Sequence, residues 1–217
     1  MSLRIKGTDI TYHSQYGAIA ESRHIYINAG LEYIRQQEPH KKEILVLETG
    51  FGSGLNALLT ADYAAMQQVP VRYITLEPFP LSPDLWQALR YEGPDPELFR
   101  LLHEADWEQD IIIHEYFVLH KLRLGIRQLP PDVHAADVVY YDAFAPGDQP
   151  ELWTPDIFTL LFNRMATGSA LTTYCAKGEV RRSMQAAGFR VQRLEGPPGG
   201  KREILRALKA PTGPSPE

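Results

Sequence analysis

The feature that most limits what this chain can fold into is one continuous unit in its first third: an apolar run, a glycine-rich loop and a helical pattern, in that order. Residues 43–48 (EILVLE) are short, apolar and bounded by charge and glycine, which predicts a buried strand. Thr49-Gly50-Phe51-Gly52-Ser53-Gly54 follows, and residues 55–68 (LNALLTADYAAMQQ) carry apolar side chains at helical spacing. Glycines permit positive φ and leave space for a ligand to approach the backbone. A strand that feeds a helix through such a loop belongs to α/β sheets, where ligands bind beyond the carboxyl ends of the strands.

The remainder continues the alternation. Strands are expected at 72–77, 137–141, 170–174, 189–194 and 203–208, with 111–124 strand-like around an unplaced turn. Helices are expected at 83–90, 97–103, 155–165 with Thr154 as its cap and Pro155 in its first turn, and 179–187 closed by Gly188. This order predicts a largely parallel sheet covered on both faces. The last two strands are joined by a loop and not by a helix, which predicts an antiparallel hairpin at one edge.

Length sets one domain as the natural expectation for 217 residues. The expected division is an N-terminal lid-like segment at 1–40, the catalytic domain at 41–209 and a disordered Pro-rich tail at 210–217. No apolar run approaches the roughly 20 residues of a membrane span, and the first residues lack the pattern of a secretory signal. Cys175 is the single cysteine, so a cytoplasmic chain with no internal disulfide and no membrane partner is expected. The seven histidines show no ligand-like spacing, and no metal is inferred. No G-x-S-x-G elbow of a hydrolase is present. The formal net charge is −5, yet Lys177, Arg181, Arg182, Arg190, Arg193, Lys201, Arg202 and Arg206 gather basic residues toward the C-terminal end, either as a solvated face or as a footprint for an anionic partner.

The glycine loop has no Lys-Ser/Thr pair to hold a triphosphate, and its G-x-G-x-G spacing is not the pyrophosphate pattern. Glu48, just before the glycines, suits a cationic ligand group such as the amino group of a methionine moiety. Glu77, closing the second expected strand, can accept both hydroxyls of a ribose. Together they point to a nucleoside cofactor without choosing between nicotinamide and sulfonium.

The choice rests on a resemblance. Asp142-Ala143-Phe144-Ala145-Pro146-Gly147-Asp148-Gln149-Pro150-Glu151-Leu152-Trp153 is similar to the D-[AG]-F-[AS]-P-x-x-x-P-x-[ML]-W signature of the methyltransferase domain of the MnmC family. So are Thr173-Tyr174-Cys175-Ala176-Lys177-Gly178-Glu179-Val180-Arg181-Arg182, Ala187-Gly188-Phe189 and Gly200-Lys201-Arg202-Glu203. Glu21-Ser22-Arg23-His24-Ile25-Tyr26 resembles the family's E-[ST]-R-H-V-F segment, and residues 48–56 its E-x-G-F-G-T-G-L-N cofactor loop. The resemblance implies a Rossmann-like class I S-adenosylmethionine methyltransferase fold, mostly parallel and seven-stranded, with the C-terminal hairpin. It implies S-adenosyl-L-methionine as cofactor, held by Glu48, Gly50, Phe51, Gly52, Gly54, Asn56 and Glu77. The implied substrate is tRNA, methylated on the 5-aminomethyl group of a (2-thio)uridine at the wobble position. The FAD oxidase domain of fused relatives is not seen in this sequence, so a separate oxidase or another tRNA-modifying enzyme is expected to supply the aminomethyl group. Two departures stand out: residues 120–127 lack the aspartate of the family's G-D pair, and 196–200 read GPPGG where relatives have a G-F-G-R type of run.

Methyl transfer is an in-line displacement, so positioning contributes to rate. The attacking amine must be neutral, although an alkylamine resembles lysine with a pKa of about 10.4. Asp142, ending the fourth expected main strand, is the expected proton acceptor and amine-orienting group, with Phe144 offering a π face. Arg23, His24, Tyr174, Lys201 and Arg202 are the expected substrate contacts, while Trp153 reads as packing. Two other readings remain open at this point: another class I S-adenosylmethionine enzyme, such as an aminopropyltransferase or a small-molecule amine methyltransferase, and a catalytically silent tRNA- or cofactor-binding module.

Overall fold

Why the centre of this molecule is a parallel sheet is visible in the burial of its strands. β1 (Ile44–Thr49), β2 (Val71–Leu76) and β5 (Ala136–Tyr141) are almost wholly buried, and β5 has no exposed position at all. Only strands covered on both faces tolerate such continuous apolar runs. The computed structural model describes residues 15–199 and 202–210; of the tail expected at 210–217, all but Ala210 lies outside the described residues.

Alternation along each strand sends side chains to two separate cores. Val46, Tyr73, Val138 and Tyr140 face one side, where α3 (Leu55–Gln67) contributes Ala57, Leu58 and Ala61. Leu47, Ile74, Val139 and Tyr141 face the other, against Ile157, Phe158 and Leu161 of α6 (Pro155–Arg164) and Val180 and Met184 of α7 (Gly178–Ala186). Two short helices, α4 (Pro83–Gln87) and α5 (Pro96–Glu104), follow β2. The α5 start is capped by Asp95, whose carboxylate accepts from the Glu97 N–H at 2.9 Å.

Eight strands form one sheet in the order β3-β4-β2-β1-β5-β6-β8-β7. β4 (Phe117–Leu122), β2, β1, β5 and β6 (Met165–Thr173) are parallel. The expected C-terminal hairpin is β7 (Arg190–Glu195) and β8 (Glu203–Leu208), with β8 antiparallel to β6. The sheet has one strand more than the expected seven. The run at 111–124 is itself a hairpin, β3 (Asp110–His114) turning at Glu115-Tyr116 into β4, and β3 adds an antiparallel edge. Thr154 stands at the α6 cap position, but its hydroxyl makes no capping bond and instead donates to Glu151 O at 3.3 Å.

The described part of the N-terminal segment packs on the sheet and reaches the rim of a cavity through Ala18, Glu21, Ser22, Ile25 and Tyr26. It runs α1 (Gln15–Ser22), a π-helix (Arg23–Glu32) and α2 (Tyr33–Gln37). Ile25, Leu31 and Ile34 are 0–2% exposed and belong to the same core as β1 and β5. Among the described residues, no helix is long and apolar enough to cross a membrane.

Gly30 shows how tightly this segment seats. A Cβ there would meet Val138 Cγ1 at 3.2 Å, Thr172 Oγ1 at 3.3 Å and a Tyr140 ring carbon at 3.3 Å. Gly30→Val should therefore overpack the interface and cost about 1–3 kcal/mol. Thermal melting checks this, with a Tm lowered by about 2–4 °C per kcal/mol; an unchanged Tm would show that the segment is not packed as described.

Candidate active site

Register brings the chemistry to one rim. Thr49 pairs with Leu76 of β2 and with Tyr141 of β5, so Gly50, Glu77 and Asp142 leave the sheet side by side. The pairing continues beyond the strands, with Gly50 N–H donating to Leu76 O at 2.8 Å and Glu77 N–H to Leu122 O at 2.9 Å. Above this rim lies a cavity of about 1080 Å³, walled by the glycine loop, residues 76–79, residues 141–145, Tyr26 and Tyr174.

The loop adopts backbone conformations that favour glycine. Gly50, Gly52 and Gly54 have φ of 91°, 49° and 74°. A Cβ on Gly54 would lie 2.8 Å from His103 Nε2. Glu77 is half-buried and fixed from two sides: the Gly52 N–H donates to Oε2 at 2.9 Å and the Phe79 N–H to Oε1 at 2.8 Å. Each carboxylate oxygen keeps further acceptor capacity toward the cavity. Phe51 and Asn56 also line the wall. Glycine backbone, an anchored carboxylate and this volume fit an adenosine bearing a methionine portion, and Gly50, Phe51, Gly52, Asn56 and Glu77 are the residues placed to hold it.

Glu48 departs from the expected arrangement. It is 1% exposed, and its neighbours Thr49 and Gly50 form the wall in its place. Thr75 Oγ1 donates to its Oε2 at 2.7 Å. Burial pushes its carboxyl up to about 8.

Asp142 lies on the wall, and Asn56 Nδ2 donates to its Oδ2 at 2.9 Å. Phe144 is beside it, its carbonyl accepting from Trp153 Nε1 at 2.7 Å. Tyr174 reaches the same wall and donates to Ala143 O at 2.8 Å. Trp153 is buried against Tyr141, Phe158 and Tyr174, so it packs as expected and also pins the loop after β5. Burial first, then the charges of Asp142, Asp148 and Glu21, raise the Tyr174 phenol.

The remaining expected contacts lie apart from the cavity wall. Arg23 is exposed, and His24 Nε2 donates to Glu195 O at 2.8 Å, which ties the π-helix to the end of β7. Arg202 is exposed at the tip of the β7–β8 hairpin, where its carbonyl accepts from the Gly196 N–H at 2.9 Å. Lys201 lies outside the described residues. Arg23, His24 and Arg202 thus belong to one outer region by the hairpin tip and not to the inner wall.

Three groups beneath and beside the site escaped the sequence reading. Lys121 has no exposed surface; its ammonium donates to Leu102 O and His103 O, both at 2.9 Å, at the C-terminal end of α5. It also faces the rings of Phe51 and Trp107, at 5.3 and 4.8 Å from their centroids. Burial lowers its pKa to about 8. His103, held down to about 4 by burial, is neutral at pH 7; it stacks on Trp86 and donates from Nε2 to Ser53 O at 3.2 Å. Tyr26, where the family segment has phenylalanine, is buried with its ring 5.1 Å from Tyr140 and its hydroxyl raised by burial and then by Asp142. A lysine at an inward-facing position of the alternating strand FVLHKL was the readable sign for Lys121.

A five-stranded parallel core, an antiparallel C-terminal hairpin and this cavity are the architecture of the class I S-adenosylmethionine-dependent methyltransferase fold. A family model described as S-adenosyl-L-methionine-dependent methyltransferase matches residues 110–210. The tRNA 5-methylaminomethyl-2-thiouridine biosynthesis bifunctional protein MnmC of Pseudomonas savastanoi pv. phaseolicola is 33% identical over 211 residues, covering 90% of this chain and 31% of its own length. The crystal structure of MNMC2 from Aquifex aeolicus superposes with a TM-score of 0.72 at 28% identity, over 95% of this chain and 66% of that one. Spermidine synthase from Thermotoga maritima, with a TM-score of 0.58 at 13% identity over 93% of this chain and 63% of that one, shares the fold alone. The chain is similar to the methyltransferase domain of MnmC over about 90% of its length, and it spans about a third of the length of the bifunctional relatives it matches.

Two substitutions test the cofactor wall. Gly52→Val places a β-branched residue at φ 49° and in the cavity; S-adenosylmethionine binding by calorimetry should vanish while the circular dichroism spectrum is kept. Glu77→Ala should weaken the same binding by one or two charge-assisted hydrogen bonds, roughly 1.5–3 kcal/mol each. An unchanged dissociation constant in either variant removes that residue from the cofactor site.

Proposed function

We propose that this chain methylates the primary amine of a 5-aminomethyl group on (2-thio)uridine at the tRNA wobble position. The observation that carries this reading is Asp142, held on the cavity wall by the Asn56 amide and placed at the same rim as the glycine loop and Glu77. When bound, S-adenosylmethionine supplies a methyl group on a cationic sulfonium. The chain must do the rest. Glu77 and the loop fix the nucleoside end; Tyr174 and Trp153 hold the loop that carries Asp142 and Phe144.

Asp142 orients the amine and takes its proton as the new bond forms. Phe144 presents an aromatic face to the cationic centre. The modified base reaches this cavity from tRNA, and the outer region with Arg23, His24 and Arg202 meets the phosphate backbone, as does Lys201, the neighbour of Arg202 in sequence. The source of the aminomethyl group is a separate enzyme, an oxidase or another tRNA-modifying activity, and the reaction belongs to the cytoplasm. Nucleoside analysis after incubation with labelled cofactor and tRNA lacking the final methyl tests the reading: label is expected in 5-methylaminomethyl-(2-thio)uridine. Transfer to free polyamines or small amines, with none to tRNA, would favour the other class I chemistry.

Two variants refine it. Asp142→Asn keeps shape and hydrogen-bonding reach but loses the charge; turnover should fall by roughly the 100- to 10,000-fold typical of general acid–base groups, with cofactor affinity little changed. Part of the loss should return as pH rises, because more of the substrate amine is then neutral. Parental activity at neutral pH would remove Asp142 from the chemistry. Replacing both Lys201 and Arg202 with alanine should weaken tRNA binding and lower its salt slope by about one per phosphate contact. Equal binding across a salt series would leave them as ordinary solvated residues.

A further inference from the structure

Tyr26 carries a hydroxyl where a ring alone would satisfy the packing. The side chain is 2% exposed, its ring lies 5.1 Å from that of Tyr140, and it belongs to the core shared with β1 and β5. Yet Tyr26 also lines the cavity, which it reaches from the π-helix. Its hydroxyl is enclosed, with no partner at full hydrogen-bond geometry. Leaving a buried hydroxyl unmet is costly, and such groups in native proteins find acceptors.

The surroundings leave one acceptor in reach. Glu48 of β1 and Tyr174, just beyond β6, act on the Tyr26 phenol through charge alone, whereas Asp142 also acts on it as a hydrogen-bond partner. Tyr174 gives its own proton to Ala143 O at 2.8 Å. The Tyr26 hydroxyl is therefore close to the Asp142 carboxylate without being fully aligned with it. Hydrogen bonds of catalytic groups are often long or poorly aligned until substrate binds. Asp142 already accepts from Asn56 Nδ2 at 2.9 Å. A carboxylate has about four acceptor positions, so two donors still leave room for an amine.

We propose that Tyr26 is a positioning residue for methyl transfer: its phenol donates to the Asp142 carboxylate alongside the Asn56 amide, and the N-terminal π-helix thereby completes the group that meets the substrate amine. The proposal rests on the reading of Asp142 as the amine's acceptor. Donors from two separate elements, α3 and the π-helix, hold one carboxylate, so the seating of the N-terminal segment and the aim of Asp142 become one property. Burial first, then Asp142, holds the Tyr26 phenol well above its ordinary value, so it keeps the proton it has to donate. A donor to a carboxylate favours the ionised form, which is the form able to take a proton from the amine.

Tyr26→Phe removes one oxygen and keeps the ring against Tyr140, so the fold should be retained. With isotope-labelled aspartate carboxyl carbons, the Asp142 signal can be assigned by its loss in Asp142→Asn. Its titration midpoint should lie about one pH unit higher in Tyr26→Phe than in the parent, as for one lost charge-assisted hydrogen bond. Glu48, Tyr73 and Tyr174, which face this pair from β1, β2 and the end of β6, are the same in both proteins, so the difference belongs to the Tyr26 hydroxyl. On tRNA carrying the 5-aminomethyl group, kcat should fall about tenfold. The acid limb of its pH profile should move to higher pH, and KM for the cofactor should stay within about threefold. In an Asp142→Asn background the same change should lower kcat no further.

An unchanged Asp142 midpoint overturns the inference, whatever the substrate. A raised midpoint with parental kcat and an unmoved limb overturns the positioning role. Cofactor affinity lost by more than about tenfold with kcat kept assigns the hydroxyl to the cofactor and overturns the inference as well. If the parent transfers no methyl to tRNA, the methyl-transfer reading fails by itself, and the titration still decides whether Tyr26 holds Asp142.

Discussion

The register of three parallel strands is the constraint on which the rest of this structure depends. With Thr49 opposite both Leu76 and Tyr141, the chain must leave β1, β2 and β5 at the same height. The next residue in each case lines the cavity: Gly50, Glu77 and Asp142. A slip of one residue in a parallel pair would turn every side chain to the opposite face and exchange the two cores. The apolar alternation of Val138 and Tyr140 against Val139 and Tyr141 therefore secures the site as much as the sheet.

The cofactor loop has few stabilising contacts of its own, because glycines bury little surface and are conformationally costly to order. Its support comes from below. Lys121 seats on the terminal carbonyls of α5, α5 presents His103, and His103 fills the space left by the missing Cβ of Gly54 while bonding Ser53. Glu77 completes the hold from the opposite side through the Gly52 N–H. These contacts come from the protein itself, and a loop held in shape by its own fold has a smaller ordering cost on binding.

How much of this was legible in the sequence follows from the kind of signal each part leaves. Local periodicity gave the strands around the glycine loop and α3, since burial on both faces produces continuous apolar runs. It marked 111–124 as strand-like but did not divide β3 from β4, because an exposed edge strand with Asp110 and the 76%-exposed Ile112 lacks a buried face to mark its end. The N-terminal helices were also hidden. A π-helix with i→i+5 bonds spaces its buried residues at 25, 26, 27, 29, 30 and 31, off the 3.6-residue period that marks an α-helix. Asp142 and Glu77 were readable because strand ends are where such sheets place ligands. The burial of Glu48 was not, because one step of strand alternation separates a carboxyl in the cavity from one in the core.

If an amine is methylated here as proposed, the electrostatics of the cavity set the problem that Asp142 would solve. A sulfonium and an ammonium repel, and at 4 Å two unit charges interact by about 4 kcal/mol at an effective dielectric of 20. Glu21, Glu77, Asp142 and Asp148 line the wall against Arg90, the single cation among its described residues, so the balance of charge there favours both cations despite that repulsion. The same field favours the protonated amine, which cannot attack. Capture and reaction therefore make opposite demands on one set of carboxylates, and the conflict resolves if the acid nearest the amine accepts its proton while the others keep the cofactor bound. An Asp142 held by a fixed amide donor meets that demand with little rearrangement.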